Sequence, residues 1–407
     1  MTVSEALLNC ISAALDGREC ALTLAPDDWT ALLRLAGEQK LLPLVYAAVR
    51  GTPGFAAAPD AVRAAARRQT MREAAAQTVH TEAFLRLYQA LRAEGLAPVV
   101  VKGIVCRALY PQPELRPSSD EDLYLTAAEM PRFHAVLLRA GFVLTEPERD
   151  YRSAHEARYV HPDTGLVVEG HWALFPTEYA VYAALNVQLP DLMQRAQDWE
   201  SGGVTLRVPD ACDHLIFLLL HAFKHFISSG VGVRQLCDIA LWMRRFGAQI
   251  DWQRVRAALR ATHSEGFAAA VIDAGVHWFG LERAAAHIPP DWETLESAAL
   301  LADALSGGVY GSADSTRRHS CTITIHAADR AHRGGTGRAS LCAALFPGRE
   351  VMAGWYPYVA RCPALLPAAW VQRIWRYLRT RGKHTSAQDS LRVGAQRVEL
   401  LRQYRVL

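Results

Sequence analysis

The chain has 407 residues, of which 51% are hydrophobic and 21% charged, with 27 Gly and 20 Pro. That length fits two or three domains with real apolar cores, and the composition excludes a disordered or collagen-like chain. A formal net charge of +3 is too small at 44.9 kDa to demand a polyanionic partner, although local patches remain open.

Residues 1–94 have helical spacing, with packed faces around Leu32, Leu33 and Leu41–Leu44 and a run from Ala61 to Leu91 that reads as one or two helices. The pattern changes at Gly95. APVVVKG reads as a short buried strand ending in Gly103, and IVCRALY follows with helical spacing. After the Pro-containing loop PQPELRPSS, DEDLYL at 120–125 reads as a second strand. Pro131–Gly141 is then a helix, FVLTE starts a strand, and TGLVVEGHWAL is another. This is an α/β core at 95–209 with a mixed sheet. From 210 to 306 the reading is again helical, through ACDHLIFLLLHAFKHFI and VGVRQLCDIALWMRRF and then 251–262, 264–280 and 291–306. In the last region, 307–407, the stretch 307–345 reads mostly as loops and AAWVQRIWRYLRTRGK as an Arg-rich amphipathic helix.

No membrane span is expected, because the longest apolar stretch, LIFLLLHAF, is about half a bilayer crossing and is broken by His221. The start has no basic region before an apolar run, so no secretory signal is read. The 8 Cys include no CxxC pair, which fits reduced thiols in a cytoplasmic protein.

Chemistry concentrates in the core. Asp120 and Asp122 share one face of their strand while Glu121 points away. Two neighbouring carboxylates repel each other, so a fold that keeps them calls for cations, and oxygen ligands suit Mg²⁺ or Mn²⁺. Glu169 lies in the apolar run GLVVEG, where a carboxylate calls for a partner or a metal. If its strand lies beside 120–125, the three acids converge in a two-metal arrangement. Taken alone, an acid pair at this spacing also fits a solvated strand face. Gly103, between strand and helix, serves either as a tight turn or as a helix N-terminus offered to phosphate. Lys102 and Arg116 would supply positive charge there.

As an ordered set, VVVKGIVCRALYPQPELRPSSDEDLYL, VVEGHWAL and HLIFLLLHAFKH with the later RQLCDIA resemble a bacterial family described as uncharacterised nucleotidyltransferases, within the DNA polymerase β-like superfamily. The matching positions are Lys102–Gly103, Tyr110–Pro111, Arg116, Asp120, Asp122, and Glu169 with His171–Trp172. The resemblance spans roughly 95–245. It implies a polymerase β-like core with a small mixed sheet carrying three carboxylates, helices covering both sides, and metal-dependent use of a nucleoside triphosphate. Catalysis and metal binding would fall to Asp120, Asp122 and Glu169, and nucleotide binding to Lys102, Gly103 and Arg116. The third acid is Glu where Asp is expected, and the turn reads Lys-Gly-Ile where the wider superfamily has Gly-Ser.

Transfer of a nucleoside monophosphate with release of pyrophosphate is therefore the expected reaction, to an acceptor the sequence does not name: a peptide, a small metabolite, an RNA end or a protein side chain. Sugar transfer from a nucleoside diphosphate sugar at the same acids is the alternative, as is an inactive binding module working through its basic tail. His221 and His225 have HxxxH spacing that can hold zinc, but no HExxH glutamate accompanies them. They are read as a polar seam against the sheet, with Lys224 touching the nucleotide. His155 is open to substrate contact, and His171 is read as orienting Glu169. Arg373 to Arg405 form a basic stretch that suits nucleic acid, a membrane surface or simply solvent.

Overall fold

A computed structural model describes residues 1–146, 151, 155–308, 315–335, 346–380 and 387–407. Its centre is a seven-stranded mixed sheet in the order β3-β4-β5-β2-β1-β7-β6. The strands are β1 (Val99–Val100), β2 (Asp120–Tyr124), β3 (Val143–Leu144), β4 (Glu156–Val160), β5 (Val167–His171), β6 (Gln197–Ser201) and β7 (Val204–Val208). The mixed α/β class, with helical regions before and after the sheet, is as the sequence led us to expect. Three strands went unread: β4, whose alternation is hidden by Ala157 and Arg158, and the hairpin β6–β7, which turns at Gly202–Gly203.

Ahead of the sheet, the Ala61–Leu91 run forms a single helix, Asp60–Ala93. Its C-terminal half buries Phe84, Leu87, Tyr88 and Leu91. The Tyr88 hydroxyl donates to Pro98 O (2.8 Å) and accepts from Arg207 N (2.8 Å), pinning the neighbours β1 and β7 to the helix. Gln77, a few turns earlier, accepts from Ser118 N at 2.6 Å and steadies the loop that leads into β2.

Behind the sheet, Ala211–Ile227 starts at an Asp210 side-chain cap to Asp213 N and is buried almost all round, as its continuous apolar run requires. Val233–Phe246 packs beside it, followed by Trp252–Ala261, Glu265–Trp278 and Ala298–Gly307. The last of these begins later than its apolar pattern suggested. The expectation of loops across 307–345 is corrected in part, because Ser315–His332 is a helix packed on the C-terminal helix Ala387–Gln403. Residues 309–314 and 336–345, including Cys342, fall outside the described residues, as do Arg381 and Lys383 of the basic stretch. Arg397 leaves the basic surface altogether: it is buried, paired with Asp303 and bonded to the carbonyls of Phe226 and Ser228. Among the described residues, no helix is long and apolar enough to cross a membrane. Cys10, Cys20, Cys106, Cys212 and Cys237 are buried free thiols.

One polar link fastens the second helical layer to the sheet. Arg116, in the loop before β2, is 1% exposed. Its Nε and Nη2 reach the two carboxylate oxygens of Asp238 at 2.7 and 2.5 Å, and Tyr110 donates to the same carboxylate at 2.8 Å. Arg234, four residues before Asp238, donates to Pro117 O in the same loop. A bidentate pair shielded from water is strong only while both charges are present. Asp238→Ala leaves a buried guanidinium unpaired and is expected to cost about 3–5 kcal/mol. The double change Arg116→Met/Asp238→Leu should recover much of that loss, as judged by urea unfolding of the three proteins.

Candidate functional site

The register between β2 and β5 builds the site. These strands run parallel, with Asp120 opposite Val167, Asp122 opposite Glu169 and Tyr124 opposite His171. Antiparallel β4 adds Glu156 opposite His171 and Arg158 opposite Glu169. Alternation then puts Asp120, Asp122, Glu169, His171 and Glu156 on one face, over a cavity of about 180 Å³. The opposite face belongs to packing. Glu121 is 1% exposed there, held by Arg107 at 2.6 Å and by Ile104 N at 2.8 Å. Gly170 turns toward Phe133, which a Cβ would meet at 2.4 Å, so the glycine inside VVEGHW lets the sheet close on its helix.

Lys102 enters from the end of β1, its Nζ 2.7 Å from Asp122 Oδ2 and 4.0 Å from Asp120 Oδ1. His171 Nε2 lies 3.2 Å from Asp122 Oδ1 and 3.8 Å from Glu169 Oε2, with its Nδ1 3.5 Å from Glu156. His155 Nε2 reaches the same Glu156 carboxylate at 3.2 Å. The roof is the helix Ala211–Ile227, which presents His221, Lys224 and His225. The two histidines face each other, Nε2 to Nε2, at 3.4 Å, and Gln235 contacts His221 Nδ1 at 3.3 Å. Among the described residues, the group with three metal-ligating side chains close together is Asp122, Glu169 and His171, whose ligand atoms lie within 4.8 Å of one another. Among the described residues, no third metal-ligating side chain is grouped with the histidine pair.

Charge crowding sets the protonation states. Burial pushes the Glu169 carboxyl up, and Asp122, Asp120 and Glu156 push it further, to about 7. Asp122 goes the other way: burial would raise it, but the Lys102 ammonium and the His171 contact outweigh that and hold it well below the usual carboxylate range. Glu156 falls to about 2, burial being outweighed chiefly by the His155 hydrogen bond and then by the His171 charge. Burial would lower His171, yet its hydrogen bond to Asp122 and the surrounding acids raise it. Burial, with Lys102 and Lys224 near, pushes His221 and His225 well down, so both roof imidazoles are neutral at pH 7.

Of the residues singled out from sequence, Asp120, Asp122, Glu169, Lys102 and Lys224 come together around the cavity, with His171, His221 and His225. Arg116 and Gly103 do not line it. Arg116 is spent on Asp238. Gly103 has φ 61° and would put a Cβ 1.9 Å from Glu121 Oε2, so the close approach of Glu121 requires glycine. Ile104 N, the amide just past Gly103, is taken by Glu121, so at that position the offer of an amide to phosphate is answered by the protein's own acid. Glu156 was missed: its signal was the alternation Glu156–Arg158–Val160, obscured because the preceding segment carries no strand pattern.

In comparisons with known proteins, residues 25–280, more than half of the chain, match the family described as "Uncharacterised nucleotidyltransferase". The chain belongs to that family. No curated protein and no solved structure matches it. This nucleotidyltransferase is accordingly a transferase enzyme with a general nucleotidyl-transfer role, and its match takes in the whole sheet and the roof helix.

The acid cluster of this nucleotidyltransferase has a testable pH signature. Glu169 binds a proton in the folded protein up to about pH 7 but releases it near its ordinary 4.5 once unfolded. The folded state therefore holds more protons in that window, so this group's stabilising contribution is full below about 4.5 and is lost as pH rises to about 7. In metal-free protein, Glu169→Gln should remove that downward slope from a plot of unfolding free energy against pH. Mn²⁺ affinity of the unmodified protein should rise between pH 6 and 8 as Glu169 deprotonates, as measured by water-proton relaxation.

Proposed function

We propose that this enzyme moves a nucleoside monophosphate from a nucleoside triphosphate to an acceptor hydroxyl or phosphate, releasing pyrophosphate, with Mg²⁺ or Mn²⁺ held by Asp120, Asp122 and Glu169. The observation that carries the reading is the parallel β2–β5 register, which sets Asp122 beside Glu169 on the face that also bears Asp120. The residues fit a divalent ion. Hard carboxylate oxygens suit Mg²⁺, and the Glu169 carboxyl is raised to about 7 by burial and by acids that a cation would offset. A cation bound there would stabilise charge on the transferring phosphoryl group and lower the pKa of an attacking hydroxyl.

The chain's own groups divide the remaining work. Lys102 is the cation nearest the acids, and a phosphate entering beside Asp122 gives its ammonium a second anion to neutralise. Lys224 reaches the cavity from the roof and meets phosphate from the other side. Gly103 and Arg116 serve this reading indirectly: the glycine turn leaves room for the Glu121 side chain on the packing face of β2, and Arg116 holds the loop that aims Asp120. His171, bonded to Asp122 and close to Glu169, orients both acids.

The test is pyrophosphate release and product mass with each of the four nucleoside triphosphates, Mg²⁺ or Mn²⁺, and a cell extract as acceptor source. Asp120→Ala, Asp122→Ala and Glu169→Gln should each lower turnover at least about 100-fold, and chelation should abolish it until metal is returned. Turnover that survives Asp122→Ala would overturn the reading. A hexose adduct in place of a nucleoside monophosphate would replace it with sugar transfer.

A further inference from the structure

A second cavity adjoins the first. It measures about 440 Å³ and shares Lys224 and His225 with the carboxylate cavity, so these two side chains form the neck between them. Beyond the neck the character changes. Tyr179 and Tyr182 come from the segment after β5, Ile325 from the helix Ser315–His332 and Trp355 from the helix Arg349–Trp355. Tyr179 and Tyr182 meet edge to face at 5.9 Å. The Tyr179 side chain is nearly buried, with 5% exposure, yet its hydroxyl has no hydrogen-bond partner among the described residues. A buried hydroxyl in that state is costly unless a ligand completes it. Trp355 keeps 42% of its surface exposed at the rim.

Size and chemistry together decide what belongs there. Sites for small organic ligands are on the order of 300–1,000 Å³. The carboxylate cavity, at about 180 Å³, has room for phosphates and metal but not for a whole nucleotide. The part of the donor beyond its phosphates would extend either into solvent or into an adjoining space, and this annex opens past the roof lysine. Aromatic walls favour a flat uncharged ring, and a free phenol hydroxyl favours one with polar edges; a nucleobase has both. Its walls also reach beyond residue 280, the end of the family match, through Ile325 and Trp355.

We propose that this annex is the nucleobase subsite of the donor triphosphate, with Tyr182 and Trp355 as ring-contacting surfaces, Tyr179 reading the base edge, and Lys224 and His225 at the neck between base and phosphates. The assignment rests on the nucleotidyl-transfer reading above and adds where the base lies and which residues select it. The C-terminal region then contributes directly to donor choice.

Equilibrium binding to the full-length chain with Mn²⁺ separates the two ideas, using the four nucleoside triphosphates and inorganic tripolyphosphate as a probe without a base. Trp355→Ala and Tyr182→Ala should each lower the ratio of nucleoside triphosphate to tripolyphosphate affinity by about tenfold, the scale of one lost base–aromatic stack. Trp355→Phe should restore most of it, and Tyr179→Phe should narrow the preference among the four bases. Trp355 stands at the rim, so its replacement leaves the core intact; unchanged circular dichroism and tripolyphosphate binding would verify this. An unaltered ratio in both alanine variants would overturn the subsite. So would unaltered triphosphate affinity with slower transfer to extract acceptors, which would make the annex an acceptor site. Wild-type protein that binds neither tripolyphosphate nor any nucleotide would overturn the transfer reading itself.

Discussion

The parallel pairing of β2 with β5 forces carboxylates together, and the surroundings of the site answer that repulsion. Register, not side-chain preference, sets Asp122 beside Glu169, and strand alternation adds Asp120 to the same face. At such separations two buried negative charges cannot both persist without compensation. Lys102 closes on one side, His171 on the other, and Glu169 takes up a proton near neutrality. The roof helix brings Lys224 above them. A strand slipped by one residue would turn Glu169 into the packing layer and Gly170 into the site, and the cluster would vanish. Tyr88 and Gln77 on the long N-terminal helix, with the Arg116–Asp238 link from the rear, hold β1, β7 and the entry to β2.

Much of this was legible in the chain. The acids at 120 and 122, the acid at 169 and the lysine at 102 stand in segments whose periodicity names them as strands or strand ends, so their convergence needed only one assumption about which strands are neighbours. Lys224 could be placed because an apolar helix with a single lysine has few ways to satisfy it. The less readable features depend on contacts between distant segments. Arg116 resembles a phosphate ligand in sequence, because a loop arginine near an acid pair has no visible partner; Asp238, more than a hundred residues later, is that partner. Gly103 reads as a phosphate turn for the same reason, since nothing local says that Glu121 lies over its amide neighbour. Glu156 was hidden by a strand too irregular to stand out. The helix Ser315–His332 was hidden by its composition, rich in Thr, His and Ser, which weakens helical periodicity even where tertiary packing supplies the stability.

The two cavities and their shared neck suggest how the architecture divides labour. The strand-borne part carries charge and is covered by the family match, whereas the aromatic part draws on segments past residue 280. Chemistry common to a family can stay fixed on a sheet while the helices around it vary, because the sheet's register tolerates no drift and the helices do.

The bond between Lys102 and Asp122 carries one more consequence. In the free protein the ammonium stands where a cation would serve Asp122, so the site is a closed ion pair and neither charge is left bare. A metal arriving alone would have to displace the lysine from Asp122 toward Asp120, and a phosphate arriving alone would draw the lysine away from Asp122. On the proposed reading, a metal–triphosphate complex entering as one unit would exchange both partners at once: the acid would trade ammonium for metal, and the lysine carboxylate for phosphate. The ion pair would then act as a latch, and a substrate bringing metal and phosphate together would carry both halves of the key.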